Sequence, residues 1–98
     1  MKIIQELSDM MDEEVIDARK YAKCAKKFKE SDPELSRTFA QLANEELSHM
    51  EKLHVQAERL IRQYREEHGD PPAVMLAIYD YLHDKHIEKV AEVRMLLS

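Results

Sequence analysis

The chain has 98 residues, which allows one domain, spanning 1–98, and excludes a second catalytic module. Apolar residues make up 44% and charged ones 36%, with one Gly and three Pro; that balance belongs to long amphipathic helices with few turns, so the expected fold class is all-α. A net charge of -5 disfavours nucleic-acid and anionic-membrane partners and suits cations.

Cys24 is the only cysteine, which excludes an intrachain disulfide and a Cys-rich zinc site. The run Lys2-Ile3-Ile4-Gln5-Glu6 is too short for the apolar part of a signal peptide, and nowhere do about 18 apolar residues follow one another. The expected location is cytoplasmic.

Two stretches punctuate the sequence. In Glu30-Ser31-Asp32-Pro33, Asp32 can cap a new helix and Pro33 fits its first turn, where no backbone N–H is missed. In His68-Gly69-Asp70-Pro71-Pro72, Gly69 can take the left-handed position that ends a helix, and Asp70-Pro71 repeats the start signal. Three helices are predicted, over about 3–29, 33–68 and 72–97.

The first helix carries a stripe of Ile4, Leu7, Met11, Glu14, Ala18, Tyr21, Ala25 and Phe28, and the second one of Leu35, Phe39, Leu42, Glu46, His49, Leu53, Gln56 or Ala57, and Leu60. Steps of three and four mark both as packing seams. In the third helix Met75, Ile78, Leu82, His86, Val90, Val93 and Leu97 share one face, with Tyr79, Ile87 and Leu96 beside it. Three such helices have more apolar surface than a two-layer hairpin covers, and a 36-residue helix is long for a compact monomer. Seams are therefore expected to meet seams in a homo-oligomer, a dimer at least.

Glu14, Glu46 and His49 interrupt these seams. A carboxylate on an apolar stripe has to be protonated, paired or metal-bound, because a charge stranded in low dielectric costs several kcal/mol. His49 follows Glu46 by three residues, so both project from one helix face. Glu-x-x-His facing a further Glu is half of the ligand set of di-iron carboxylate bundles, and a two-fold axis would supply the other half. Oxygen and nitrogen donors without thiolate suit iron or manganese, and zinc or copper can use the same groups.

Glu14 with Tyr21 seven residues on, then Ala43-Asn44-Glu45-Glu46-Leu47-Ser48-His49 as Ala-x-x-Glu-x-x-His, resembles the first helix pair of the ferritin-like superfamily, the rubrerythrins in particular. Asp12-Glu13-Glu14, the short loop Ser31-Asp32-Pro33-Glu34-Leu35 and the half-size chain are similar to the encapsulated ferritins, which build a ferroxidase centre across a dimer interface. The resemblance covers roughly residues 7–60.

It implies a ferritin-like helical hairpin plus a third C-terminal helix, with the four-helix bundle completed by dimerisation. It further implies Glu14, Glu46 and His49 as iron ligands, two ions per dimer, and Tyr21 beside the centre to supply an electron or screen it. The implied activity is oxidation of Fe(II) by dioxygen or peroxide in iron storage or detoxification. The encapsulated ferritins carry an acid where this chain has Ile16 and a Trp where it has Lys20, so of their metal-uptake site only Glu13 is expected to remain. An encapsulating protein shell is the further partner that the resemblance suggests, although no docking peptide is expected after the last helix at Leu97-Ser98. The cysteine pairs of rubredoxin-type domains are absent.

Plainer readings stand beside these. Glu14, Glu46 and His49 can form a hydrogen-bonded cluster that fixes helix register without metal in a helical structural protein, or they can hold a redox-silent ion such as zinc in a dimer without turnover. Tyr21 can simply pack its ring. Asp17 is a solvated acid or an acceptor behind a ligand, and Glu13 and Glu45 read as surface residues. Asp80-x-x-His83-x-x-His86 could bind a metal, but it lacks a facing element, which leaves His86 as a satisfied core histidine and His83 half-exposed. His54 falls off the seam, and Cys24 is inert packing.

Overall fold

Two proline turns divide the chain where the sequence predicts. The computed structural model describes residues 2–98 as three helices, α1 (Lys2–Phe28), α2 (Pro33–His68) and α3 (Ala73–Leu97), so the all-α class holds. Asp32 caps α2, its carboxylate accepting from the Leu35 N–H at 3.2 Å, with Pro33 in the first turn. The Ser36 hydroxyl donates to the Ala25 carbonyl and ties the turn to α1. At the other end Gly69 has φ 82°, a left-handed angle open to glycine at little cost, and its N–H reaches the Arg65 carbonyl at 3.0 Å.

The second turn departs from expectation. Asp70 does not cap α3. It faces Arg65 at 3.6 Å, and α3 starts after Pro72 with no side-chain cap. Pro72 pushes Pro71 out of the helical region and Pro71 does the same to Asp70, so no helix can begin until both are passed.

The helices run up, down and up. Asp12 meets Lys89 at 3.0 Å and Arg19 meets Glu92 at 2.7 Å, which sets α3 parallel to α1 and both antiparallel to α2. The radius of gyration is 16.1 Å, against about 13 Å for a compact chain of this length. The unit is therefore a rod, 56 Å long, whose long axis is that of α2, and a rod leaves flanks uncovered. No helix among the described residues is long and apolar enough to cross a membrane.

The core keeps the predicted α1 seam at Ile4, Leu7, Met11, Ala18 and Ala25 and is offset from the predicted α2 seam. In α1 the buried residues include Ser8, Val15 and Ala22 beside Met11 and Ala18, and in α2 they are Ala43, Leu47, Met50, Ala57 and Ile61. Glu14, Tyr21 and Phe28 of the predicted α1 seam, with Leu42, Glu46 and Leu53 of the α2 seam, are only half-buried, and Leu35 and His49 are exposed. The reason is that α1 serves two neighbours. Its buried arc widens toward α3, and fully buried Ala18, Ala22, Ala43 and Ala57 let the α1 and α2 backbones approach closely. The bulkier predicted stripe is left on the outer edge. In α3 the buried residues are Tyr79, His86 and Val93 at a seven-residue repeat, while Ile78 and Ile87, predicted to pack, are exposed.

Candidate metal centre

Two helices bring the three predicted ligands together. Glu14 comes from the middle of α1 and Glu46 and His49 from one face of α2, where antiparallel packing sets residue 14 opposite residues 46 and 49. One ligand atom of each lies within 4.8 Å of the others, and among the described residues no other three His, Cys, Asp or Glu side chains do this. His49 Nδ1 is 3.4 Å from Glu14 Oε2 and 3.7 Å from Glu46 Oε2.

The electrostatics show a cluster short of positive charge. Glu46 is pushed above the ordinary carboxylate value, first by its hydrogen bond with Glu14, then by burial and by the charge of Glu14; His49 opposes this and Asp17 adds to it. Two carboxylates in contact favour either a shared proton or a cation. Asp17 is exposed, yet its charge reaches Glu46 from α1. Two carboxylates and an imidazole are a donor set that iron, manganese or zinc accepts.

The three side chains are more open to solvent than their places in the apolar stripes imply. The side chains of Glu14, Glu46 and His49 are 28%, 20% and 51% exposed, so within one chain they lie on an open flank and not in a dry seam. Their full desolvation cost arises only if something covers that flank.

Tyr21 is half-buried two turns beyond Glu14 on the same side of α1. Its ring stacks on Phe39 with centroids 6.3 Å apart, and Phe39 stacks in turn on Phe28 at 6.1 Å. Glu13 and Glu45 are exposed, as expected, and Glu45 accepts from Gln41 at 3.3 Å. Cys24 is partly buried.

The Asp80-x-x-His83-x-x-His86 run, not expected to form a site, does not converge as a three-ligand set. His83 joins a junction that sequence reasoning missed. His54 Nδ1 lies 3.0 Å from the Tyr79 hydroxyl, its Nε2 lies 3.0 Å from Glu58, and its ring stacks on His83 with centroids 4.0 Å apart. Glu58 favours the tautomer protonated at Nε2, so Nδ1 accepts from the tyrosine O–H. Burial first, then Glu58 and Asp80, pushes Tyr79 to about 12, which keeps it a donor. The signal for His54 was present in the sequence: Ala43, Leu47, Met50, His54, Ala57 and Ile61 step by three and four through the buried stripe of α2.

Compared with known proteins, the chain matches no family model, no curated protein and no solved structure.

Proposed function

We propose that the chain is a ferritin-like half-bundle that pairs with a second copy, forming a di-iron centre where the α1–α2 flanks of the two copies meet. One observation carries this reading: Glu14, Glu46 and His49 converge within 4.8 Å on a flank where Tyr21, Phe39, Leu42 and Leu53 are half-buried and Leu35 is exposed. A two-fold related copy would bring four carboxylates and two imidazoles around two ions and cover the apolar neighbours of the site, completing a four-helix bundle. Four carboxylate charges balance two divalent cations. Iron is the ion the resemblance implies; manganese or zinc could use the same donors.

In this reading Fe(II) is the substrate and the activity is a ferroxidase. Two Fe(II) ions supply the two electrons that peroxide takes, with two protons, in becoming two waters, or half of those that dioxygen takes. Glu14 and Glu46 hold the ions, His49 completes the set, and the Tyr21 phenol stands on the same side to donate an electron or to screen the site. The role is iron storage or detoxification. One short hairpin encloses no mineral, so oxidised iron would pass to another compartment, such as an encapsulating protein shell.

A second reading is favoured by a different detail. His49 Nδ1 already lies between the two carboxylates, so a proton can stand where an ion would, and the cluster would then fix the register of a helical dimer without turnover. Redox-silent zinc would serve the same end. Adding Fe(II) to the protein while following oxygen consumption and metal content separates them. About two irons per pair of chains, with oxygen uptake above background and both lost in Glu46→Ala, supports the ferroxidase. Unchanged stoichiometry in the variant rejects the site, and binding without oxygen uptake favours the redox-silent dimer.

A further inference from the structure

His86 at the centre of α3 is only 3% exposed. Its Nε2 faces Asp12 Oδ1 at 3.6 Å, whereas its Nδ1 is buried with no hydrogen-bond partner. A buried nitrogen without a partner is uncommon in a native fold. A carboxylate on one side of an imidazole holds the proton there and leaves the lone pair on the other nitrogen, which is how histidine metal ligands are oriented. Burial pushes His86 below its ordinary value despite the opposing charge of Asp12, and Lys89 adds to the lowering. The buried, unpartnered Nδ1, opposite the nitrogen that faces Asp12, is the one with an available lone pair.

A cavity of about 250 Å³ opens beside this ring, lined by Met11 and Met50 from below and by His83 one helical turn back. His83 lies flat on His54, the rings 2° from parallel. Both nitrogens of His54 are engaged, while neither nitrogen of His83 enters a hydrogen bond among the described residues. Two thioethers and two imidazoles thus line one cavity. Exposed Glu51 and Arg94 at its rim offset each other in charge.

Neutral thioether and imidazole donors suit a soft monovalent ion, and they do not supply the negative charge that a divalent ion draws on. The histidines of this cavity do not form a three-ligand set with carboxylates or with each other, so sulfur is needed to complete any site here. We propose that the cavity between α2 and α3 is a Cu(I) site, held by His86 Nδ1 and His83 with the thioethers of Met50 and Met11. It is independent of the Glu14, Glu46 and His49 cluster and of the function proposed for it.

The test is an anaerobic competition in which the full chain withdraws Cu(I) from the chromophoric chelator bicinchoninate. The expected result is one Cu(I) per chain in the wild type and in Glu46→Ala, with affinity at least ten-fold weaker in Met50→Leu or His83→Gln. Met50→Leu conserves volume and His83 is only half-buried, so both variants should keep the helical far-UV spectrum. Copper X-ray absorption of the wild-type complex should show a sulfur neighbour. The proposal is overturned if the chelator keeps all the copper, if both variants bind like wild type, if Glu46→Ala abolishes binding, or if only nitrogen and oxygen surround the ion.

Discussion

His49 and His86 belong to the same three-helix rod and meet opposite surroundings. His49 stands half-exposed between two carboxylates that repel each other. His86 is enclosed, faces one carboxylate through Nε2 and is bordered by methionines. The first cluster has excess negative charge and an open side, so the proposed centre would need a cation and a cover to complete it. The second has thioether and imidazole side chains and walls already in place, so it constrains what can enter. Burial and donor softness, more than the presence of histidine, would separate the two proposed metal sites.

The largest expected contrast is in stability. Tyr79 is buried and hydrogen-bonded at the α2–α3 junction, so Tyr79→Ala should lower the unfolding free energy by roughly 3–5 kcal/mol. Tyr21→Ala removes a half-buried ring on the open flank and should cost about 1 kcal/mol. Urea denaturation of the metal-free chain checks both, and equal losses would erase the distinction between junction and flank.

Next comes metal linkage at the open cluster. Fe(II) held at 100 times its Kd under anaerobic conditions should stabilise the wild type by about 2.7 kcal/mol. Glu46→Gln should abolish that gain. Without metal the same substitution relieves the repulsion from Glu14 and should change stability by less than about 0.5 kcal/mol. A large loss in the metal-free variant would mean that the cluster is a satisfied structural network.

Acidification should act on the two sites with opposite signs. His86 lies below the ordinary value of 6.5, so the folded chain resists its protonation and stability falls as pH drops through 6.5. Glu46 lies above the ordinary 4.5, so its contribution is full below 4.5 and is lost as pH rises through the folded value. Urea midpoints measured from pH 7 down to 4.5 should therefore fall more steeply in Glu46→Gln than in wild type, and less steeply in His86→Gln.

The smallest effect belongs to the links between α1 and α3. Arg19 and Glu92 are each about half exposed, so Arg19→Ala should cost less than about 1 kcal/mol, and less still at high salt.

The helix boundaries were legible because prolines and Asp32 act locally, through missing N–H groups and caps. Glu14, Glu46 and His49 were legible because an i, i+3 pair and a facing acid need only helical periodicity and antiparallel packing. What periodicity could not resolve was which of two adjacent stripes faces the core. Leu35, Leu42 and Phe28 outweigh Ala22, Ala43 and Ala57 in hydrophobicity, yet the alanines lie inside because close helix approach rewards small residues. His54 was passed over for the same reason, since it falls in the alanine stripe. Tyr79 and the unpartnered Nδ1 of His86 depend on how α3 sits against both other helices, which no single-helix pattern records.

The central claim is that the open Glu14, Glu46 and His49 flank is half of a centre completed by a second copy. Native mass spectrometry of the chain loaded anaerobically with Fe(II) counts chains and ions together. The account predicts two 11.6 kDa chains carrying two irons, reverting to iron-free species in Glu46→Ala. A single chain holding iron on its own, or a dimer that never takes up iron, would contradict it.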